Sequence, residues 1–179
     1  MATTVQALKT RLGLFAGVLF TLSVAVGGTY SAQPAAAQNV APVTLPKETI
    51  SLAAANAIID AAVNHSASLG LAQVIVVVDE NGLVKAQARM DGARVSSLPI
   101  AHDKAYTSAV RGITTEAFTN AISDNPALLA SQARQPNIFL APGGVPIVVN
   151  GQVVGAVGVS GATPQQDVDT ALAGIAAIQ

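Results

Sequence analysis

The 179-residue chain has no cysteine and no tryptophan, and only 11% of its residues are charged. Without cysteine there is no disulfide framework, no thiolate zinc site, no iron–sulfur ligation and no cysteine nucleophile. The charged fraction lies well below the roughly 25% of an average soluble domain. Nine basic residues against ten acidic ones leave a net charge of −1, so nothing in the balance favours a nucleic-acid partner. Aromatics are 3% of the chain, which gives a sugar or single-strand site built on stacked rings little to work with. What is present is small and apolar: hydrophobic residues make up 51%, and 35 residues are alanine.

Part of that apolar excess is an N-terminal segment. Lys9 and Arg11 are the sole charges before Lys47, and the run from Leu12 to Val26 carries none. It has the length of a secretory h-region and is short of the roughly 20 apolar residues that a spanning helix needs. Ala35 and Ala37 then supply the −3 and −1 positions of an A-x-A cleavage site. The expectation is a cleaved signal over residues 1–37, a secreted or periplasmic protein, and no membrane attachment once the signal is gone. An uncleaved anchor is the alternative. Cleavage would remove two basic residues and three of the six Phe and Tyr residues, leaving a net charge of −3 and the aromatics Tyr106, Phe118 and Phe139.

Residues 38–50 contain two prolines and no periodicity, and read as a linker to a single domain over 51–179. Ser51 is a good N-cap, and the stretch that follows has no proline or glycine until Gly70, which predicts a helix closed by a C′ glycine. Its core stripe is expected at Leu52, Ala55, Ile59, Ala62, Ser66 and Leu69. Gln73 to Met90 reads as a hairpin about Glu80-Asn81-Gly82, with the first strand buried and the second half solvated. A second hairpin turns at Asn150-Gly151, a pair that tolerates the positive φ of a type I′ turn. Between the hairpins, Pro99–Arg111 and Glu116–Gln135 read as helices, the latter broken at Asn125-Pro126. The last helix opens at Thr163 with Pro164 and Gln166 in a capping-box arrangement. Hairpins imply antiparallel pairing, so the fold class is α+β, helices on a sheet, and not a doubly wound fold.

Catalytic constellations are sparse. There are two histidines and no G-x-S-x-G elbow, so a serine or cysteine hydrolase lacks its usual parts. The pairs Asp79-Glu80 and Asp167/Asp169 sit at a hairpin turn and in the first turns of a helix, where structural roles explain them. No His-x-x-x-His or HExxH spacing indicates a preformed metal centre.

Four short motifs carry a resemblance. Met90-Asp91-Gly92-Ala93, then Ile100-Ala101 with Lys104-Ala105-Tyr106-Thr107, then Pro142-Gly143-Gly144-Val145-Pro146, and last Gly155 to Gly161 follow in order over Ser51 to Ile178. In this the chain resembles the GlcG/HbpS-like family. The resemblance implies a profilin-like fold with a central antiparallel sheet flanked by helices. It implies small-ligand work, with haem-binding and haem-degrading secreted members that assemble as homo-oligomers, a glycolate-operon protein, and a domain found beside some cobalamin adenosyltransferases.

Around those motifs the candidate ligand-binding residues are Asp91, Lys104, Thr107, Arg111, Gly143 and Gly144. Asp91 either shapes a pocket rim or bonds its own turn. Gly143-Gly144 either offers amides to an anion or makes a tight lead-in to a strand. Ala101, Lys104, Thr107 and Ser108 share one helix face, and Arg111 extends it by a turn, so that cations and hydroxyls are expected to converge on one acidic ligand. The competing expectation is a solvated face, which the family motif's lysine outweighs. For haem iron the candidate metal ligands are His65 and His102, with Met90 and Tyr106 as further donors; each histidine also suits a capping or surface role. The expected function is exported haem or tetrapyrrole binding, supporting haem degradation or iron and redox sensing. The alternative is a small organic-acid protein using Lys104, Arg111 and the Gly143-Gly144 amides.

Overall fold

The computed structural model describes residues 46–179. The expected signal at 1–37 and the linker as far as residue 45 lie outside the described residues. Of the last five residues of that linker, Ile50 and Lys47 are tied to the domain. Ile50 is buried and its N–H donates to Val154 O at 2.9 Å, while Lys47 Nζ pairs with Glu80 at 3.0 Å.

The elements run α1 (Leu52–Ser68), β1 (Val74–Asp79), β2 (Val84–Arg89), α2 (Ser97–Arg111), α3 (Thr115–Ile122), α4 (Pro126–Gln132), β3 (Gly144–Val149), β4 (Gln152–Ser160), α5 (Pro164–Ile175) and a terminal 3₁₀ turn, Ala176–Ile178. Local chemistry sets their ends. The Ser51 side chain accepts from Ala54 N, Asn125 accepts from Leu128 N with Pro126 opening α4, and Thr163 and Gln166 form the reciprocal capping box of α5. Asn150 and Gly151 take φ of +50 and +78, the positive values that a two-residue hairpin turn requires. Pro99 falls in the first turn of α2 instead of opening it, since the helix starts at Ser97; N–H groups of the first turn have no helical partner to lose.

The four strands form one antiparallel sheet in the order β2-β1-β4-β3. This is the helix-flanked antiparallel α+β fold expected. β1 is buried along its whole length because both of its faces are covered. Ile75 and Val77 face α1 and α5, packing with Ala55, Ile58, Ala62, Ala171 and Ile175. Val74, Val76 and Val78 face α2, packing with Ala101, Ala105 and Ala109. Each valine so buried contributes about 1.5–3 kcal/mol.

The alanines matter because they let backbones approach. A Cβ at Gly158 of β4 would collide with Ala101 O and Ala105 N of α2, and one at Gly174 of α5 would stand 2.9 Å from Ile58 O of α1. The α1 stripe differs from expectation at three places. Ile58 is buried, whereas Leu52 and Leu69 are 57% and 52% exposed. They occupy the first position and the C-cap of the helix, past the reach of the sheet, and a 3.6-residue period carries no information on where the covering surface ends.

Candidate functional site

The polar residues expected to converge on a ligand lie on α2, but their shared face is the buried one. Ala101, Lys104, Thr107 and Ser108 are each 3% exposed or less. Lys104 Nζ donates to Asp167 Oδ2 at 2.7 Å and to Val159 O at 2.9 Å, and stands 6.0 Å from the centre of the Phe139 ring. Asp167 Oδ1 in turn accepts from Gln73 Nε2 at 2.8 Å and Ala162 N at 3.1 Å, and Gln73 Oε1 accepts from Thr170 Oγ1 at 2.9 Å. The result is an internal polar chain from α2 through α5 to the start of β1. Buried charges persist when they are paired and their remaining sites are hydrogen-bonded, as here.

Gly143 and Gly144 belong to the same interior. Gly143 has φ +123, and a Cβ there would lie 2.7 Å from Lys104 Nζ and 2.8 Å from Val159 O. Gly144 N donates to Thr115 Oγ1 at 3.0 Å, and a Cβ on Gly144 would strike Lys104 O. The expected convergence of Lys104, Thr107, Arg111, Gly143 and Gly144 on one acidic ligand is therefore corrected. Helical spacing brings the α2 residues to one face, and that face is the side packed on the sheet.

The others are dispersed. Arg111 is exposed at the C-terminal end of α2, over the Phe118 ring at 4.7 Å and bonded to Gln132 Oε1 at 2.6 Å. Asp91 is exposed at the end of β2, beside a depression of about 440 Å³ shared with Val63, Ala88, Arg89 and Met90. Tyr106 packs its ring over Gly82 at the β1–β2 turn. His65 lies in the last turn of α1 with Nε2 buried and unpartnered among the described residues. Since α1 and α2 cover opposite faces of the sheet, His65 and His102 of one chain do not meet.

His102 is the candidate metal ligand that the structure places at an open site. It borders a depression of about 380 Å³ with Gln87, Leu98, Pro99, Asp103 and Asn137. Its Nδ1 lies 3.1 Å from Asp103 Oδ1, and its side chain is 34% exposed. In the tautomer whose Nδ1–H donates to Asp103, Nε2 carries the lone pair; Nε2 has no hydrogen-bond partner among the described residues. A carboxylate behind an imidazole fixes the orientation of the ring, the usual support of a metal-binding histidine. His102 would hold the iron of a haem, and the apolar Leu98 and Pro99 beside it would wall a macrocycle, so the residues present fit the group. Among the described residues no three His, Cys, Asp or Glu side chains cluster as a bare metal site.

Residues 50–176 match the family described as haem degrading protein HbpS-like. The chain belongs to the HbpS-like family. Protein GlcG of Escherichia coli K12 is 33% identical over 114 residues, 64% of this chain and 83% of that protein. Among solved structures, a double variant of Streptomyces reticuli HbpS is similar with a TM-score of 0.71 and 30% identity, covering 82% of this chain and 99% of that one. The PduOC:haem complex gives a TM-score of 0.69 at 27% identity, covering 73% of this chain and 96% of that one. Haem binding is thus a property found within the HbpS-like family.

Against that family background, sequence reasoning missed Asp167 as the partner of Lys104, Gln73 as the partner of Asp167, and Asn137 as a neighbour of His102. Asp167 looks like a first-turn helix acid and Gln73 like a strand flank; only the tertiary fold joins them. Asn137 did leave a mark, since it sits in a proline-flanked loop with no periodicity, where side chains are free to border a site.

Proposed function

We propose that this HbpS-like chain is an exported haem-binding protein in which His102 Nε2 takes the iron. The carrying observation is the His102–Asp103 pair beside the depression lined by Leu98 and Pro99. The PduOC:haem complex among the similar structures supports the ligand class. The chain's part is to present an oriented imidazole and an apolar wall; bound haem would bring redox-active iron, the chemistry that degradation or redox sensing needs. With one histidine and little aromatic surface, the complex is modest and exchangeable. Lys104 and Gly144 are committed internally, so that Arg111, exposed at the C-terminal end of α2, no longer shares a site with the other donors expected for an organic acid.

Export rests on the charge-free run and the A-x-A site before residue 38. Assembly into homo-oligomers draws on Val148 and Val149, 50% and 45% exposed on the edge strand β3. Titration of the protein with haemin tests the central claim. A Soret shift in the wild type, lost in His102→Ala and kept in His65→Ala, is the expected result. No shift at any stoichiometry overturns it.

A further inference from the structure

Asn137 has a left-handed backbone, φ +62, a conformation uncommon outside glycine and tolerated by asparagine. Such conformations persist where neighbours over-determine them, and they gather at ligand contacts. The neighbour here is Thr107. Its buried hydroxyl accepts from Phe139 N at 2.9 Å, donates to Asp103 O at 2.7 Å, and lies 3.3 Å from Asn137 O. The loop is therefore buckled to α2 directly after the Asn137 side chain, at the Asn137 carbonyl and at Phe139 N; that side chain is exposed and borders the same depression as His102. Thr107 itself has no exposure; it acts on whatever sits there through Asn137.

The polar lining of the depression beyond His102 and Asp103 consists of two carboxamides, Asn137 and Gln87. Gln87 pairs with Val76 in the sheet and so projects on the α2 side. Each carboxamide offers two N–H donors, and no lysine or arginine lines the depression. Neutral donors bind an anion by short-range hydrogen bonds and not by a long-range field, so their contribution is little screened by salt.

We propose that Asn137 and Gln87 form a carboxylate-holding subsite for the acid side chains of a metal tetrapyrrole, and that Thr107 is the positioning residue that aims Asn137. This rests on the haem-binding role of His102. The test is a Soret titration of each variant with haemin and with haemin dimethyl ester, whose carboxylates are masked. Asn137→Asp, which replaces a donor by a like charge, is expected to weaken haemin binding about tenfold and Asn137→Ala several-fold, with ester binding unchanged. Thr107→Val should lower haemin affinity in the same ligand-selective way. Loss of the shift in His102→Ala with wild-type haemin affinity in both Asn137 variants overturns the subsite and leaves the haem role standing. Equal losses for haemin and ester in the Asn137 variants also overturn it, because a merely structural loop would weaken both. Absence of any shift in the wild type overturns the haem role and the subsite together. If Thr107→Val fails to fold, the Asn137 variants decide alone.

Discussion

Lys104 Nζ and Asp167 Oδ2 lie 2.7 Å apart with both side chains only 4% exposed, tying the helix on one face of the sheet to a helix on the other beside the end of β4. The pair is the internal counterpart of the surface cation that a lysine on a helix would suggest. Its energetics follow from isolation: removing one partner strands a charge in the interior.

Lys104→Met and Asp167→Asn are each expected to destabilise the fold by about 3–5 kcal/mol. The double variant should fall well short of the sum, because neither charge is then left alone. Urea unfolding midpoints of the four proteins measure this directly, and additive losses would show that the two groups act independently.

Two glycines with positive φ should respond very differently to alanine. At Gly151, φ +78 and nothing within 4 Å of a built Cβ, the loss is the left-handed backbone penalty of about 1–2 kcal/mol. At Gly143 the φ is +123 and Lys104 Nζ, Val159 O and Asp167 Cβ all lie within 3 Å of the new atom, so the loss should exceed about 3 kcal/mol as the buried pair is pried open. Thermal melts of the two variants, run side by side, separate the penalties.

Acid sensitivity has a local source at the first hairpin. The Thr49 hydroxyl and the Lys47 ammonium beside Glu80 hold its carboxyl down from 4.5 to about 2, against a burial that pushes it up. A folded-state value below the unfolded one stabilises above the unfolded value and is lost as pH falls through the folded one. The contribution should therefore be full above about pH 4.5 and fade from there to about pH 2. Glu80→Gln should narrow the difference in stability between pH 5 and pH 2 relative to the wild type. Salt should shrink the effect, since the Lys47 side chain is 60% exposed.

Asp103 offers a test of how His102 is held. Asp103→Asn keeps the size of the side chain but removes the charge behind Nδ1, and should weaken haemin binding roughly 10- to 100-fold. Folding should be nearly untouched, because the pair is partly solvated. A loss of affinity with an unchanged melting temperature is the expected signature.

Element boundaries were legible wherever a local signal fixed them: the Ser51 cap, the Asn125-Pro126 break, the Asn150-Gly151 turn and the Thr163/Gln166 box all stand where residue chemistry put them. The candidate site was legible only in fragments. His102 next to Asp103 is a sequence neighbour pair and could be seen. The fate of Lys104 could not, because its partner is 63 residues away and periodicity reports that a face is shared without saying whether it meets protein or water. Polar residues on an alanine-rich stripe looked like a binding face, and the alanines were the stronger clue to burial.

The position of the His102 depression follows from widths. Four strands at about 4.8 Å spacing make a sheet about 19 Å across, whereas a helix with its side chains is about 10 Å thick. Lying on β4, β3 and β1, α2 leaves the margin of the sheet at β2 without a roof. The hollow is that margin, available from backbone layout before any side chain is chosen. Gln87, Leu98, Pro99 and Asn137 line it and are all exposed, while the alanine contacts of α2 lie beneath. Ligand preference and fold integrity are thus written at different positions, and descendants of this sequence can drift in one without eroding the other.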